Sequence, residues 1–273
     1  MRGHGAPRTI AAMHSVLSIA GSDPTGGAGI QADLQVFRSL GVHGSGVITA
    51  LTIQDSKKVH QVLPIFPSVV LDQLRILLRD MAPNAVKIGM LASDDVARSV
   101  VLGLQERKPD VPIVLDPVLF ASDGTELLER RAWPVLQGLI AETALVTPNL
   151  PEAEALTRRD VSTRRGAEAA ASALLEELGA GAALIKGGHR EGDPDDLLAT
   201  KGPTGVELRW LAGERVPGGP VHGTGCALAS AIAVGLALGK SLPEAVDVGR
   251  KFVLRGLRAA EALGSGARFL VYP

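Results

Sequence analysis

Six short aliphatic runs, at residues 16–20, 46–53, 85–88, 112–116, 144–147 and 182–186, alternate along this chain with longer amphipathic stretches. That alternation constrains the fold more than any other property, because it is the pattern of a mostly parallel sheet flanked by helices. The amphipathic stretches predict helices at 30–40, 67–80, 94–107, 130–141, 151–157, 164–178, 227–238 and 243–262. Several ends are signalled. Gly41 suits the position just past the first helix, Ser93 can cap the third, and Ser241-Leu-Pro-Glu244 is a capping box before the last. Runs 197–199 and 206–211, joined across Lys201-Gly-Pro-Thr-Gly205, predict an antiparallel hairpin at one sheet edge.

Open parallel sheets bind ligands outside the carboxyl ends of their strands. Here the residues just past those ends are rich in chemistry: Gly21-Ser-Asp-Pro-Thr-Gly-Gly27, Gln54-Asp55, Gly89-Met90, Asp116-Pro117, Pro148-Asn149 and Lys186-Gly-Gly-His189. Each alone reads as a turn; six together describe one site. Composition narrows the ligand. Net charge is −1 and no basic stripe with interleaved aromatics occurs, which argues against nucleic acid as a partner. No run approaches the roughly 18 apolar residues of a membrane span. A single cysteine allows no internal disulfide and no cysteine-rich metal site, as expected in a reducing cytoplasm. Residues 1–14 are expected to be a disordered extension, and 15–273 one domain, since no linker or repeat interrupts them.

His222-Gly-Thr-Gly-Cys226 precedes the apolar run Ala227-Leu-Ala-Ser-Ala-Ile-Ala-Val234, so a glycine loop opens a helix. Backbone N–H groups at a helix start lack intrahelical partners and sit at the positive end of the dipole, which suits an anion. Cys226 stands where that field favours a thiolate, although a small core residue is the simpler reading. His222 can reach a phosphate or merely shape the turn. Lys186-Gly-Gly-His189 offers a cation and two glycines to a polyphosphate, or is an exposed turn. Asp116 ends an apolar strand and needs a partner there: Mg²⁺, a water or Lys186. Asn149-Leu-Pro-Glu152 is fully explained as a helix cap, and a role around Mg²⁺ needs support from its neighbours.

Two decoys fail on geometry. Gly235-Leu-Ala-Leu-Gly239-Lys240-Ser241 has three residues between its glycines where a P-loop needs four, and it ends a helix instead of starting one. Gly27-Ala-Gly29-Ile-Gln-Ala32 matches a relaxed dinucleotide fingerprint, but Gly21 to Gly26 separate it from its strand.

Taken in order, these motifs resemble the ribokinase-like family, and within it the hydroxymethylpyrimidine/phosphomethylpyrimidine kinases. The resemblance rests on Ser18-Ile-Ala-Gly-Ser-Asp-Pro-Thr-Gly-Gly-Ala-Gly-Ile-Gln-Ala-Asp33, Val47-Ile-Thr-Ala-Leu-Thr-Ile-Gln54 and Lys87-Ile-Gly-Met-Leu91. It continues through Leu115-Asp-Pro-Val118, Val146-Thr-Pro-Asn-Leu-Pro-Glu152, Ile185-Lys-Gly-Gly-His189 and the His222–Cys226 loop, over about residues 15 to 260. It implies a ribokinase-like doubly wound α/β domain, with helices on both faces of a mostly parallel sheet. The implied activity is ATP- and Mg²⁺-dependent phosphorylation of 4-amino-5-hydroxymethyl-2-methylpyrimidine, then of its monophosphate, in a cytoplasmic homodimer. Gly21, Asp33, Gln54, Met90 and Val118 are implied around the pyrimidine. Asn149, Lys186 and Gly223 are implied at the nucleotide, and Asp116 and Glu152 at the metal through water. Gly223 and Gly225 map to an anion hole, Lys186 to the transferred group, and Cys226 to the position where sugar kinases carry an aspartate base. Pro220-Val221, Ser122 and Gly264-Ser-Gly-Ala-Arg268 depart from the pattern, all away from the pyrimidine residues. A pyridoxal or pyridoxine kinase, and a non-catalytic pyrimidine sensor, are the alternatives.

Overall fold

The computed structural model describes residues 13–108, 110–188 and 192–272, so residues 1–12 of the expected extension, and His189, lie outside the described residues. In chain order the elements are β1 (Ser15–Ser22), α1 (Gly29–Ser39), β2 (His43–Gln54), β3 (Val59–Pro64), α2 (Pro67–Asp80), β4 (Ala85–Ile88) and α3 (Asp94–Leu104). β5 (Ile113–Leu115), a 3₁₀ turn (Arg130–Ala132), α4 (Trp133–Ile140), β6 (Leu145–Val146), α5 (Leu150–Thr157), α6 (Arg164–Glu176) and β7 (Ala182–Ile185) follow. The chain continues through β8 (Asp196–Gly202), β9 (Gly205–Leu211), β10 (Val221–His222), α7 (Thr224–Ala237), α8 (Leu242–Arg258) and β11 (Arg268–Phe269).

Nine strands form one sheet in the order β3-β2-β1-β4-β5-β6-β7-β8-β9. The six central strands pair in parallel, while β3 at one edge and the β8–β9 hairpin at the other run antiparallel to their neighbours. The chain goes from β1 to β2 on one side, then returns through α2 to β4 on the other side of β1. Loops leaving β1 and β4 therefore diverge, which opens a crevice at their carboxyl ends.

Alternation along the strands divides the core into two layers. Leu17, Ile19, Val86 and Ile88 pack with residues of α2 to α6 on one face. Val16, Ala85 and Val114 pack with Phe37 of α1 and with α7 and α8 on the other. α7 is buried nearly all round because sheet, α1 and α8 enclose it, which explains a helix with no polar stripe. The expected caps form: Gly41 takes φ +78, Ser93 Oγ accepts the Val96 N–H, and Glu244 accepts the Ser241 N–H at 2.9 Å.

Several boundaries differ from the sequence pattern. The third helix stops at Leu104, the fourth opens with a 3₁₀ turn before Trp133, and the last stops at Arg258. β3 was not expected: Val-His-Gln-Val-Leu-Pro alternates weakly, and it is a strand because it pairs with the end of β2, Gln54 opposite Val59. α7 begins at Thr224, three residues before the apolar run, so Cys226 lies within its first turn.

Candidate active site

A cavity of about 240 Å³ opens at the carboxyl ends of the parallel strands, beneath the start of α7. Gly21 comes from β1, Gln54 from β2, Lys87 from β4, Asp116 follows β5, Asn149 follows β6 and Lys186 follows β7. The divergence of strands at β1 and β4 thus collects the six loops on one opening.

One end of this cavity is ionic. Lys186 Nζ lies 2.6 Å from Asp116 Oδ1 and 3.9 Å from Glu152 Oε2. Burial works against the Lys186 ammonium, but the two carboxylates outweigh it and hold its pKa above the ordinary lysine value. Burial pushes the Glu152 carboxyl up, Lys186 opposes this, and Asp116 adds to it. Glu152 also completes the predicted cap: Asn149 Oδ1 accepts the Glu152 N–H at 2.8 Å, and Glu152 Oε2 accepts the Asn149 N–H at 2.8 Å. The cap is therefore what aims this carboxylate at Lys186.

Gly223 caps α7 with φ +77, and a β-carbon there would fall 1.8 Å from the Gly27 carbonyl oxygen, so only glycine fits. The first intrahelical bond is Ala227 N–H to the Gly223 carbonyl. The N–H groups of Thr224, Gly225 and Cys226 have no partner within the helix, and the positive end of the dipole faces the cavity beside Lys186. A β-carbon on Gly225 would sit 3.1 Å from Lys186 Nζ, which shows how closely the cation and the helix start approach.

The other end is less charged. Gly21, Gln54, Met90 and Val118 line it. A β-carbon on Gly21 would meet Met90 Sδ at 2.8 Å, so glycine there makes room for the thioether. Thr49 Oγ1 donates to the Met90 carbonyl at 2.5 Å and fixes that turn. Cys226, in the first turn of α7, lines the same cavity.

The family model for phosphomethylpyrimidine kinase matches residues 23–270. The chain belongs to the phosphomethylpyrimidine kinase family. It is 41% identical to the hydroxymethylpyrimidine/phosphomethylpyrimidine kinase of Streptomyces coelicolor, over 92% of this chain and 91% of that protein. It is equally identical to the thiamine biosynthesis bifunctional protein ThiED of Geobacter sulfurreducens over 92% of its own length, but spans only 51% of that longer protein. The crystal structure of phosphomethylpyrimidine kinase from Clostridium difficile superposes with a TM-score of 0.77 at 35% identity, covering 88% of this chain and 98% of that one. Pyridoxal kinase from Staphylococcus aureus, in complex with AMP-PCP and pyridoxal, gives 0.83 at 28% identity over 95% and 93%. The fold is therefore the ribokinase-like one these kinases share, as the sequence motifs implied.

Within this family frame, two expected residues need correction. Asp33 does not line the cavity. It is fully buried, and its carboxylate accepts from Lys87 Nζ at 2.9 and 2.8 Å, from Ser18 Oγ at 2.6 Å and from Ser230 Oγ at 2.7 Å. Every favourable acceptor site is taken, so it cannot also receive a ring amino group. The Cys226 thiol is not held as a thiolate either. Burial pushes it up to about 11; Lys87 pulls down, Asp116 and Asp33 push up, and the Gly29 N–H pulls down. Lost hydration of the anion exceeds the attraction of the helix start.

Three residues escaped the sequence reading. Lys87 lines the cavity although its side chain is fully buried, and the signal was a charge inside an otherwise apolar strand. Asp23 reads in the sequence only as part of the Gly21–Gly27 loop. His222, read as reaching a phosphate or shaping its turn, lines the less charged end of the cavity, with its Nε2 2.8 Å from Asp23 Oδ2 and 3.0 Å from the Gln54 amide.

Proposed function

We propose that this chain transfers the γ-phosphoryl group of ATP to the hydroxymethyl oxygen of 4-amino-5-hydroxymethyl-2-methylpyrimidine, and then to the resulting monophosphate, in thiamine diphosphate formation. The observation that carries this reading is a single cavity with two unlike ends. A heteroaromatic end formed by Gly21, Gln54, Met90 and Val118 faces a phosphate end formed by Lys186, Asp116, Glu152 and the α7 amides, with Cys226 at the join. The family's named activity supports it.

Gln54 supplies one donor and one acceptor to the ring, and Met90 and Val118 pack its faces. The unpartnered N–H groups of Thr224 to Cys226, with Gly223 and Gly225 allowing close approach, receive the transferred phosphoryl oxygens. Lys186 and the Asn149 loop hold the nucleotide phosphates. Phosphoryl transfer through a loose transition state depends on positioning and charge neutralisation more than on a strong base. A neutral Cys226 thiol is sufficient for that chemistry: it orients the substrate hydroxyl and keeps water from the join.

Among the described residues, no three histidine, cysteine or acidic side chains converge on a metal site. Two carboxylates beside a phosphate site suit Mg²⁺, which is commonly held by one or two carboxylates, waters and the substrate phosphates. Asp116 and Glu152 would hold it through water, and it would spread the charge of the transferred group.

Pyridoxal is the competing ring, favoured by the likeness to pyridoxal kinase. Turnover of the purified protein with ATP and each ring, read as phosphorylated product by mass spectrometry, separates the two. Exclusive phosphorylation of pyridoxal overturns the pyrimidine reading, and no ATP consumption with either ring makes the chain a sensor. The expected state is a homodimer in the cytoplasm. Exposed Leu51, Ile53 and Leu63 on the outer face of the β2–β3 ribbon support self-association, and sedimentation velocity tests it. Among the described residues, no helix is long and apolar enough to cross a membrane.

A further inference from the structure

Asp23 and His222 take no part in the chemistry above, yet both face the ring end of the cavity. Asp23 is 3% exposed. Its Oδ1 accepts the Thr25 N–H at 2.9 Å, and its Oδ2 accepts the Thr25 hydroxyl and the Ala28 N–H, each at 2.9 Å. Burial alone would raise its pKa. The hydrogen bonds from His222 and Thr25 outweigh that and hold the carboxyl below its ordinary value. Asp23 is therefore a carboxylate and only accepts. His222 Nε2, 2.8 Å from Asp23 Oδ2, must then carry a proton, in the neutral ring and in the charged ring alike.

The same Nε2 lies 3.0 Å from the amide terminus of Gln54. With the amide nitrogen at that terminus, two donors would face each other. Turning the amide by 180° removes that clash at no steric cost and lets its carbonyl oxygen share, in a three-centre bond, the Nε2 proton that Asp23 accepts. The turn also satisfies the opposite terminus, 3.2 Å from Thr52 Oγ1. Thr52 Oγ1 donates its hydrogen to the Ser22 carbonyl at 3.0 Å, so only its lone pairs remain, and an NH₂ group suits them. Both ends of the amide are thus decided by neighbours whose own roles are already fixed.

We propose that His222, held by Asp23, is a positioning residue that sets the polarity of Gln54, with oxygen toward His222 and nitrogen toward Thr52. This rests on the pyrimidine reading and deepens it. The cavity then accepts a ring whose donor lies toward His222 and whose acceptor lies toward Thr52. A 4-amino group beside an unprotonated N3 has that order. A 4-oxo pyrimidine with N3–H has the reverse, and turning that ring over would carry its 5-hydroxymethyl group away from Cys226. His222 and Asp23 therefore act on specificity without touching the reacting atoms.

Two measurements test this. In protein labelled with ¹⁵N-histidine, His222 Nε2 is expected to show a protonated shift near neutral pH; an unprotonated Nε2 overturns the proposal. Calorimetry and turnover with 4-amino-5-hydroxymethyl-2-methylpyrimidine and its 4-oxo analogue then give a preference ratio. Wild type is expected to prefer the amino ring by about 10–100-fold, since one mismatched buried pair costs about that much. His222→Phe, which removes the Nε2 proton, is expected to bring the ratio to within a few-fold of one. Thr52→Val, which leaves His222 intact, is expected to shift it in the same direction. If His222→Phe weakens both rings equally and keeps the ratio, His222 only shapes its loop. A wild-type protein that phosphorylates neither ring overturns the kinase reading and this proposal with it. One that phosphorylates the amino ring, with the ratio unchanged in both variants, overturns the polarity alone.

Discussion

Replacing Lys87 with methionine isolates what the buried charge pair contributes, because the substitution keeps most of the side-chain volume and removes only the ammonium. Neither Lys87 nor Asp33 exposes any side-chain surface, and two bonds of 2.9 and 2.8 Å join them. In Lys87→Met the Asp33 carboxylate keeps the hydroxyls of Ser18 and Ser230 but loses its counter-charge. Removing one member of a buried pair typically costs about 3–5 kcal/mol. Against a total stability of roughly 5–15 kcal/mol, that is a large fraction. At about 2–4 °C per kcal/mol for a domain approaching this size, Tm should fall by on the order of 10 °C. Urea unfolding at pH 7 followed by circular dichroism measures it, and an unchanged m-value shows that stability alone moved. Lys87→Met combined with Asp33→Asn should recover a substantial part of the loss, because no bare charge remains. Burial disfavours the ammonium, but Asp33, Cys226 and Asp116 raise the Lys87 pKa above its ordinary value. A raised lysine stabilises fully below its unfolded pKa of about 10.4 and loses that contribution only as pH climbs through the folded value. The lysine's part of the penalty should therefore be flat between pH 6 and pH 9. A cost below about 1 kcal/mol, or a double variant less stable than Lys87→Met, would refute the reasoning.

Four further outcomes follow from the site. With a thiol pushed up to about 11 from 9.0, Cys226 should react with iodoacetamide about 100-fold more slowly at pH 8 than it does in the urea-unfolded chain, and its rate should climb until about pH 11. A folded-state midpoint near 8.5 contradicts the burial argument. Lys186→Met should lower kcat by about 10²–10³-fold with little change in pyrimidine affinity, and unchanged kcat at saturating ATP removes Lys186 from the phosphate site. Gln54→Ala should weaken pyrimidine binding by about 1–3 kcal/mol in calorimetry while ATP binding holds, and an equal loss of both contradicts its place at the ring end. Chelation by EDTA should abolish turnover and weaken ATP binding at least tenfold, and equal ATP affinity with and without Mg²⁺ shows that Asp116 and Glu152 hold no metal.

The parallel centre of the fold was legible because strands and helices differ in period, and six runs at the right spacing leave few other arrangements. β3 was illegible for a physical reason: its strand state comes from pairing with the end of β2, not from its own pattern. The ionic end of the cavity was also readable, since Asp116, Asn149 and Lys186 each end or follow an apolar strand that fixes where they emerge. Asp33 was misjudged because spacing places a side chain on a helix face but does not show who already occupies it. Lys87, Ser18 and Ser230 come from β4, β1 and α7, far apart in sequence, and only folding brings them to the same carboxylate. The Cys226 thiol failed in the same way. A helix start is visible in the sequence; the loss of water around the sulfur is not.

The distribution of charge explains how one cavity serves an uncharged ring and a polyphosphate. Near the ring, every carboxylate is answered from within the protein: Asp33 by Lys87 and two hydroxyls, Asp23 by the His222 proton, the Thr25 hydroxyl and two backbone N–H groups. Each of these carboxylates already has its hydrogen-bond partners, so a ring bound there as proposed would meet Gln54 as the amide left to recognise it. At the far end Lys186 is shared between Asp116 and Glu152 and is not a free cation. With both carboxylates ionised this group carries one negative charge in excess, which repels a bare nucleotide triphosphate despite the α7 dipole. A divalent cation would reverse that balance; the raised pKa of Glu152 comes first from burial, with Lys186 opposing it and Asp116 adding to it. On the proposed function the nucleotide would therefore enter in company with its metal, while the ring would not need it. If the two requirements meet at Cys226, as proposed, a neutral thiol is the state of that side chain that repels neither partner.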